Sequence, residues 1–263
     1  MNSASPSIGF VKASACGNDF LIVDSGNISD LAGFSRRLCD RHNGVGADGV
    51  EWTFLTPDAD LAVRLFNADG SEAEISGNGT RCVAAYFASQ HNQSAVRIKT
   101  AAGIKDCTLI DRSLAHFIFE TAMGVPEIGT EFTVNGSSGT FHGTPVSIGN
   151  PHFVVFTDRF PNNWQSRAAE IQRQPEFPQG VNVEFVAIRS TSEINIHFFE
   201  RGVGETQSSG TGSCAAAAAA IAAGLCQSPV RVHAPGGTQV VRWDQQISLT
   251  GPADLVCSGE FFI

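Results

Sequence analysis

Two short serine–glycine motifs are the residues whose spacing points most clearly to chemistry. They are Ser76-Gly77-Asn78-Gly79 and Ser209-Gly210-Thr211-Gly212, and each leads within a few residues into an alanine-rich segment that favours a helix. A Gly-x-Gly turn entering a helix leaves backbone N–H groups unpaired beside the positive end of the helix dipole, which suits a carboxylate or phosphate. Two such turns predict one anion bound from both sides, with Ser76 and Ser209 at the mouths of opposed helices. That arrangement suits chemistry on both faces of one carbon atom.

Polar residues at the ends of candidate strands form a second group. Four asparagines stand beside Gly, Pro, Asp or a strand start: Asn18, Asn67, Asn150 and Asn182. Each alone is typical of a turn, but four in both halves predict a polar lining for a small zwitterionic ligand. Glu200 and Arg201 close the strand INIHFF and would hold an ammonium and a carboxylate, respectively. A local ion pair is the alternative for these two residues.

The order of elements indicates an internal duplication. Short alternating strands precede a helix from Thr80 to about Gln90, and the same order recurs before a helix from Ser213 to about Ala223. The second half also contains a polar helix-like stretch around residues 167–174. Two unrelated α+β domains with coincident turns are the alternative. At 263 residues, two domains are expected, 1–126 and 127–263, with a linker near residues 123–131 that Gly and Pro interrupt.

Composition restricts the partners and cofactors. A net charge of −9 without a basic stripe argues against nucleic acid, and no apolar stretch approaches the length of about 20 residues that a membrane helix needs. The sequence therefore predicts a soluble, cytoplasmic protein. The seven cysteines have no C-x-x-C spacing, so neither a disulfide framework nor a zinc site is expected, and Cys82 and Cys214 are predicted to be packing residues. No metal cluster, nucleotide fingerprint or pyridoxal lysine environment is visible, and no cofactor is predicted.

The chain resembles the diaminopimelate epimerase family nearly end to end. The motifs that carry the resemblance are FVKASACGNDFLIVD, RHNGVGADGV, FNADGSEAEISGNGTRC, VSIGNPHFVVF, FPQGVNVEFV and ERGVGETQSSGTGSC. The resemblance implies a cofactor-independent, two-base isomerase that interconverts LL- and meso-2,6-diaminopimelate for lysine and cell-wall synthesis. It also implies an α+β fold of two pseudo-symmetric domains, each a mixed sheet wrapped around a central helix, with the site in the cleft between them. A homodimer is common in such enzymes.

Roles for individual residues follow from the same resemblance. It implies that substrate is contacted by Asn18, Asn67, Asn150, Asn182, Glu200 and Arg201. Glu200 and Arg201 would hold the non-reacting amino acid end. Backbone donors to the reacting carboxylate would come from Gly77, Asn78, Gly210 and Thr211. His152 and Glu205 match positions close to the two catalytic groups and would orient them.

The chain departs from the family at Ser76 and Ser209, where the family has cysteines that act as the two bases. A thiol has a pKa of roughly 8.5, which a helix dipole lowers further, so a thiolate base is accessible near neutral pH. A serine hydroxyl titrates far higher. As a base it needs an activating partner such as His152 or Glu205.

Three hypotheses accommodate the serines. The chain is an epimerase whose cysteines were replaced by serine, or a natural relative with another proton transfer, such as a one-sided isomerisation, an elimination or a cyclisation of a related amino acid. For that second case, the candidate acids and bases are Asp69, Glu74, His152 and Glu205. The third hypothesis is a catalytically silent protein that retained the amino acid pocket. The paired Glu200-Arg201 and the asparagines favour a ligand with a distal amino acid end.

Overall fold

The chain forms two compact units in the computed structural model, which describes residues 7–24, 26 and 28–263. The first unit comprises the described residues up to Thr121 together with Pro252–Ile263. The second unit comprises Ala122–Gly251. The sequence-based division at residue 126 placed the C-terminal segment in the second half, whereas its last residues belong to the first unit.

The first unit begins with two strands that flank a tight turn. Its elements in chain order are β1 (Ser7–Ala15), β2 (Asn18–Asp24), α1 (Leu31–Cys39), β3 (Gly49–Phe54), β4 (Leu61–Asn67), β5 (Glu72–Ala73), α2 (Gly77–His91), β6 (Ala95–Thr100), β7 (Gly103–Ser113) and β8 (His116–Gly124).

The second unit continues the chain with two short strands before its own repeat. Its elements are β9 (Glu127–Ile128), β10 (Phe132–Gly136), β11 (Gly139–Ser147), β12 (Pro151–Phe156), α3 (Trp164–Gln172), β13 (Asn182–Ser190), β14 (Glu193–Glu200), β15 (Gly204–Thr206), α4 (Gly210–Ala222), β16 (Val230–Ala234), β17 (Gly237–Trp243) and the start of β18 (Ile247–Phe262).

Strand pairing confirms the duplication. In the first unit, β1–β2 is antiparallel, β2–β3 parallel, β3–β4 antiparallel and β4–β6 parallel. The second unit repeats this pattern with β11–β12, β12–β13, β13–β14 and β14–β16. Because α1 and α3 follow the second strand of each repeat and α2 and α4 follow the fifth, the repeats agree element by element.

Each sheet encloses one buried helix. Every residue of α4 from Gly210 to Ala220 is buried, as is most of α2 from Gly77 to Ala85. Their small side chains let strands pack closely on all sides, which is why a helix without a polar stripe is stable here. In the first unit β18 pairs with both β1 and β8, which brings the two ends of the sheet together around α2. The predicted mixed sheet around a central helix is confirmed.

Helices α1 and α3 cover the outer faces of the sheets. In α1, Leu31, Phe34 and Leu38 pack against Val50 and Trp52 of β3. Helix α1 was not predicted from the sequence, although its apolar residues recur at helical spacing and the Asp30 side chain accepts the N–H of Gly33 as an N-cap. In α3, Ala168 and Ile171 share a core with Phe185 of β13. This helix begins and ends earlier than residues 167–174.

Two other sequence-based boundaries differ from the structure. The predicted linker at residues 123–131 contains β9, which pairs with β11, so this segment is part of the sheet. Helices α2 and α4 begin three residues earlier than predicted, because the first glycine of each motif is already helical. Cys16, Cys39, Cys82, Cys107, Cys214 and Cys226 are buried, and Cys257 is exposed. No helix within the described residues is long and apolar enough to span a membrane.

Candidate active site

Ser76 and Ser209 are the N-caps of the two central helices. The Ser76 Oγ accepts the N–H of Gly79 at 3.1 Å, and the Ser209 Oγ accepts the N–H of Gly212 at 3.2 Å. Both serines have the extended backbone typical of an N-cap. Each hydroxyl oxygen therefore lies at the positive end of a helix dipole, while its proton remains available to an acceptor.

A buried carboxyl group explains the second glycine of each motif. A Cβ atom at Gly79 would lie 2.0 Å from Glu51 Oε1, and a Cβ atom at Gly212 would lie 2.8 Å from Glu184 Oε1. Glu51 and Glu184 thus occupy the space of the missing side chains. Neither glutamate was among the candidate residues predicted from the sequence. Their signal was one carboxylate in an otherwise apolar strand, at the same place in both repeats (GVEWTF and NVEFVAI).

A chain of side-chain hydrogen bonds orders the first half-site, by which we mean Ser76, Asn18 and Asn78. Asn18 Nδ2 donates to Asp48 Oδ2 at 2.8 Å, and Asn78 Nδ2 donates to Asn18 Oδ1 at 3.2 Å. Arg81 Nη2 donates to Asn78 Oδ1 at 2.7 Å. A carboxylate can only accept and a guanidinium can only donate, so the two ends of the chain fix the orientation of both amides.

Charged residues anchor the strand start that carries Asn18. Arg41 Nη2 contacts Asp48 Oδ1 at 2.8 Å and Asp19 Oδ1 at 3.0 Å, and Lys12 Nζ lies 2.8 Å from Asp19 Oδ2. Burial acts to raise the pKa of Asp19, but hydrogen bonds and charge from Arg41 and Lys12 outweigh it and lower the pKa. Asp19 is therefore a charged anchor of the turn.

A second chain of bonds orders the second half-site, by which we mean Ser209, Asn150 and Thr211. Glu184 Oε1 lies 2.7 Å from His152 Nδ1, and His152 Nε2 lies 2.9 Å from Asn150 Oδ1. Asn150 Nδ2 donates to Thr211 Oγ1 at 3.3 Å. Both ring nitrogens of the buried His152 are thus engaged, which places this residue behind Asn150 as its support.

Glu200 is the carboxyl group beside Ser209. It ends β14 on the face of the sheet that carries Phe198, and Phe198 packs against the start of α4. Burial raises the pKa of Glu200, while a hydrogen bond from the Ser209 hydroxyl and the nearby His152 oppose the rise. The resemblance assigned Glu200 to the non-reacting end of a substrate, whereas in the structure its carboxyl accepts a hydrogen bond from the Ser209 hydroxyl.

Glu205 lies on the opposite face of the same strand pair. It is directly across from Phe199 in the β14–β15 register, one residue before Glu200, and successive side chains alternate between faces. Its exposed carboxylate accepts a hydrogen bond from Gln165 Nε2 of α3 at 3.1 Å. The expectation that Glu205 orients a catalytic serine does not fit this position, since the pairing register was not available from the sequence.

Asn182 and Arg201 come together at neighbouring strand ends. Asn182 Nδ2 donates to the carbonyl of Pro151 at 3.0 Å, and its Oδ1 accepts the Arg201 backbone N–H at 2.9 Å. Arg201 Nη1 donates to the carbonyl of Gln179 at 3.2 Å. These bonds hold the start of β13 and the end of β14 in one arrangement.

Asn67 belongs to a turn between β4 and β5. Its Nδ2 donates to Ser71 Oγ at 3.0 Å. Asp69 accepts from the Ser71 hydroxyl and N–H, and these bonds lower its pKa. Asp69 is thus a charged turn cap. Glu74 is exposed, so neither of these two residues has the surroundings of a proton-accepting catalytic group.

Comparison with known proteins identifies one family over two segments of the chain. A family model described as diaminopimelate epimerase matches residues 10–128 and 144–256. The chain belongs to the diaminopimelate epimerase family. Its members are isomerases that act on amino acids, and this chain is therefore such an isomerase.

Curated relatives cover almost the whole chain. A diaminopimelate epimerase of Pelotomaculum thermopropionicum is 37% identical in an alignment that is 276 residues long with its gaps and covers 96% of this chain and 98% of the relative. A diaminopimelate epimerase of Halothermothrix orenii is 36% identical over 283 residues, covering 97% of this chain and 98% of the relative.

Solved structures of more distant proteins share the fold. A probable proline racemase from Agrobacterium radiobacter K84 matches with a TM-score of 0.79 at 17% identity, covering 97% of this chain and 92% of that chain. A hydroxyproline epimerase from Agrobacterium vitis matches with a TM-score of 0.76 at 15% identity, with the same coverage of 97% and 92%. At these identities the likeness concerns the fold alone.

Proposed function

We propose that this chain interconverts LL- and meso-2,6-diaminopimelate through the hydroxyls of Ser76 and Ser209, without a cofactor. The observation that carries the proposal is the bond from the Ser209 hydroxyl to Glu200 at the start of α4. A serine needs a nearby base, and Glu200 is a carboxylate whose pKa is raised by burial. Each central helix presents one such hydroxyl at its N-terminus.

The proton path in the second half-site is direct. Ser209 Oγ takes the α-proton while its own proton passes to Glu200, and the electron pair of the broken C–H bond moves into the substrate carboxylate. The backbone N–H groups of Gly210 and Thr211, at the N-terminus of α4, stabilise the charge that develops there. The hydroxyl of Ser76 then donates a proton to the other face of the carbon.

Polar groups at the strand ends would bind the distal amino acid end. Arg201 suits the distal carboxylate because a guanidinium binds carboxylates through two parallel hydrogen bonds. The amides of Asn67, Asn150 and Asn182 would bind the remaining polar atoms. The bonds that Asn182 makes to the Arg201 backbone support a common role for these two residues.

Proton exchange tests the proposal. LL- and meso-diaminopimelate are incubated in deuterated water with this chain and with the Ser76→Cys, Ser209→Cys double variant, and loss of the α-proton signal is followed by NMR. Exchange by the unmodified chain supports a serine-based epimerase. Exchange in the cysteine variant alone indicates a family scaffold that is silent with serine at both positions. No exchange in either variant contradicts the proposed substrate and favours another proton transfer or a binding protein.

Three further expectations from the sequence belong with this proposal. The cytoplasmic location, the possible homodimer and the absence of a cofactor stay predictions. Activity of extensively dialysed enzyme in the presence of a chelator would test the last of these.

A further inference from the structure

Glu51 is a buried carboxyl group that the mechanism above leaves without a role. Its side chain is only 2% exposed, and the strand neighbours directly beside it are Ile22 and Leu65. Within the part of the chain that the structure describes, Glu51 Oε2 has no hydrogen-bond partner. An unpaired buried carboxyl is costly, so its presence calls for a use.

Glu51 lies on the same side of Gly79 as Ser76. The position that a Cβ atom of Gly79 would take is 2.0 Å from Glu51 Oε1 and 3.2 Å from the Cβ of Ser76. Because Gly79 has no side chain, the carboxyl group lies against the helix start that Ser76 caps. The Ser76 Oγ is held beside the same glycine by the Gly79 N–H.

The repeat of the second unit uses the matching carboxyl group differently. Glu184 is paired with His152, whose register partner on β13 is Asn182, two residues before Glu184. In the first unit, the equivalent strand position is Phe20, whose partner is Gly49, two residues before Glu51. A phenyl ring offers no donor or acceptor, so Glu51 lacks the partner that Glu184 has. Both glutamates have an Oε2 without a hydrogen-bond partner in the described part of the chain, but only Glu184 is held by an imidazole, through its Oε1.

The neighbouring titratable groups on α2 are Arg81 and Cys82, and neither would supply or take up the proton of Glu51. From α2, Arg81 donates to the carbonyls of Gly77 and Pro252 as well as to the Asn78 amide. Burial raises the pKa of Cys82, so this thiol stays protonated. Burial also raises the pKa of Glu51 to about 8, which suits a group that must both accept and return a proton near neutral pH.

We infer that Glu51 exchanges a proton with Ser76 in the first half-site. It accepts the proton of the Ser76 hydroxyl, later returns one to it and orients this hydroxyl, as Glu200 does for Ser209. The inference rests on the proposed function. In one direction Ser76 Oγ takes the α-proton while its hydroxyl proton passes to an oxygen of Glu51. In the other, the Ser76 hydroxyl proton moves to the carbanionic carbon and Glu51 returns a proton to Oγ. No oxidation or reduction takes place.

The test measures deuterium entry into each epimer separately. Glu51→Gln and Glu200→Gln are each incubated with LL- or meso-diaminopimelate in deuterated water, and label in the recovered starting isomer is followed by NMR across pH 6–9.5. In each variant the rate of deuterium entry should fall by about 100-fold or more for one isomer, because each base serves one face of the carbon. The affected isomer should differ between the two variants. The other isomer should still take up deuterium but should not be converted into its epimer.

The pH profile separates proton transfer from a packing role. The exchange that depends on Glu51 should rise with pH in the unmodified chain and lose this rise in Glu51→Gln. Glu51→Asp keeps a titrating group and should recover part of the exchange. Glu131→Gln removes an exposed carboxylate and is the control for a general charge effect; it should leave both isomers unchanged.

Distinct outcomes overturn the inference and the proposed function. If the unmodified chain exchanges both isomers and folded Glu51→Gln keeps both rates and the pH profile, the inference is wrong and the proposed function stands. The inference is also wrong if Glu51→Gln and Glu200→Gln block the same isomer. If the unmodified chain exchanges neither isomer, the proposed function fails, and the role of Glu51 fails with it.

Discussion

The two serines have equivalent places in the repeats but different carboxyl neighbours. Ser209 bonds to Glu200 at the end of β14, and the residue of the first unit at the end of the matching strand β4 is Asn67, which cannot accept a proton as a carboxylate can. The buried carboxyl beside Gly79, at the helix start that Ser76 caps, is Glu51. Ser209 has the matching Glu184 beside Gly212 and, in addition, Glu200, which its hydroxyl contacts.

Replacing Glu200 by glutamine should slow α-proton exchange by about 100-fold or more, because Ser209 loses its proton acceptor while the side-chain shape is kept. Glu205→Gln is the matched control, since Glu205 lies on the opposite face of the same β14–β15 pair and bonds to Gln165. NMR exchange rates compare the two. A larger loss of exchange in Glu205→Gln than in Glu200→Gln would support the role that the resemblance gives to Glu205. It would contradict the role that the geometry gives to Glu200.

Gly212→Ala tests the close approach of Glu184 to α4. In an unobstructed first helical turn, alanine stabilises relative to glycine by about 0.4–1 kcal/mol. Here the new Cβ would lie 2.8 Å from Glu184 Oε1 and from Phe198 Cδ1, so we expect a loss of about 1–3 kcal/mol. Urea unfolding gives the sign, and a stabilised variant would show that the carboxyl group is not held there.

At the scale of elements, the central helices depend on small side chains. The run from Ala215 to Ala220 is enclosed by strands on all sides, and it has no exposed face that could take a larger residue. Close packing of this kind leaves little room for relaxation. The turns at the helix starts are therefore positioned by a rigid support.

Ala217→Leu should destabilise the protein by about 1–3 kcal/mol, because the added atoms enter a filled core. Ala222→Leu is the matched control in the same helix: Ala222 is exposed, and its change should stay within about 0.5 kcal/mol. Chemical denaturation measures both. Equal effects at the two positions would contradict the central location of α4.

The sequence predicted the features of helices and strands that depend on residues close together in the chain. Ser76 and Ser209 before glycines and an alanine-rich run predicted N-caps and helices, because capping acts over three residues. The carboxyl groups beneath the helices were missed, because Glu51 and Glu184 reach Gly79 and Gly212 only through the folding of separate elements. The wrong face for Glu205 has the same cause, since strand register is a property of pairing.

At the scale of the whole molecule, the duplicated fold places a buried glutamate at the same strand position in each unit, but only one of the two has an ion-pair partner among the described residues. Glu184 is paired with His152, whereas Glu51 has no ion-pair partner among the described residues. The stability of the protein should therefore depend on the protonation of Glu51.

The free energy of unfolding should fall as pH rises from about 4.5 to about 8, the window between the ordinary pKa of Glu51 and its raised value. Within this window the folded chain keeps a proton that the unfolded chain has released, so the slope approaches about 1.4 kcal/mol per pH unit. Below the window both states are protonated, and above it both are ionised. Urea unfolding at pH 5 and pH 8 should show this loss relative to Glu51→Gln, and parallel curves for the two proteins would contradict it.

The path of β18 has a consequence for synthesis of the chain. Its residues Pro252–Ile263 complete the first unit by pairing with β1, which begins at Ser7. During translation the first unit therefore emerges from the ribosome with one edge of β1 unpaired, and this edge stays open until residues 252–263 have been made. The second unit, whose residues are contiguous, has no such delay. Nascent chains released before residue 252 should depend on chaperones more than the full-length protein does.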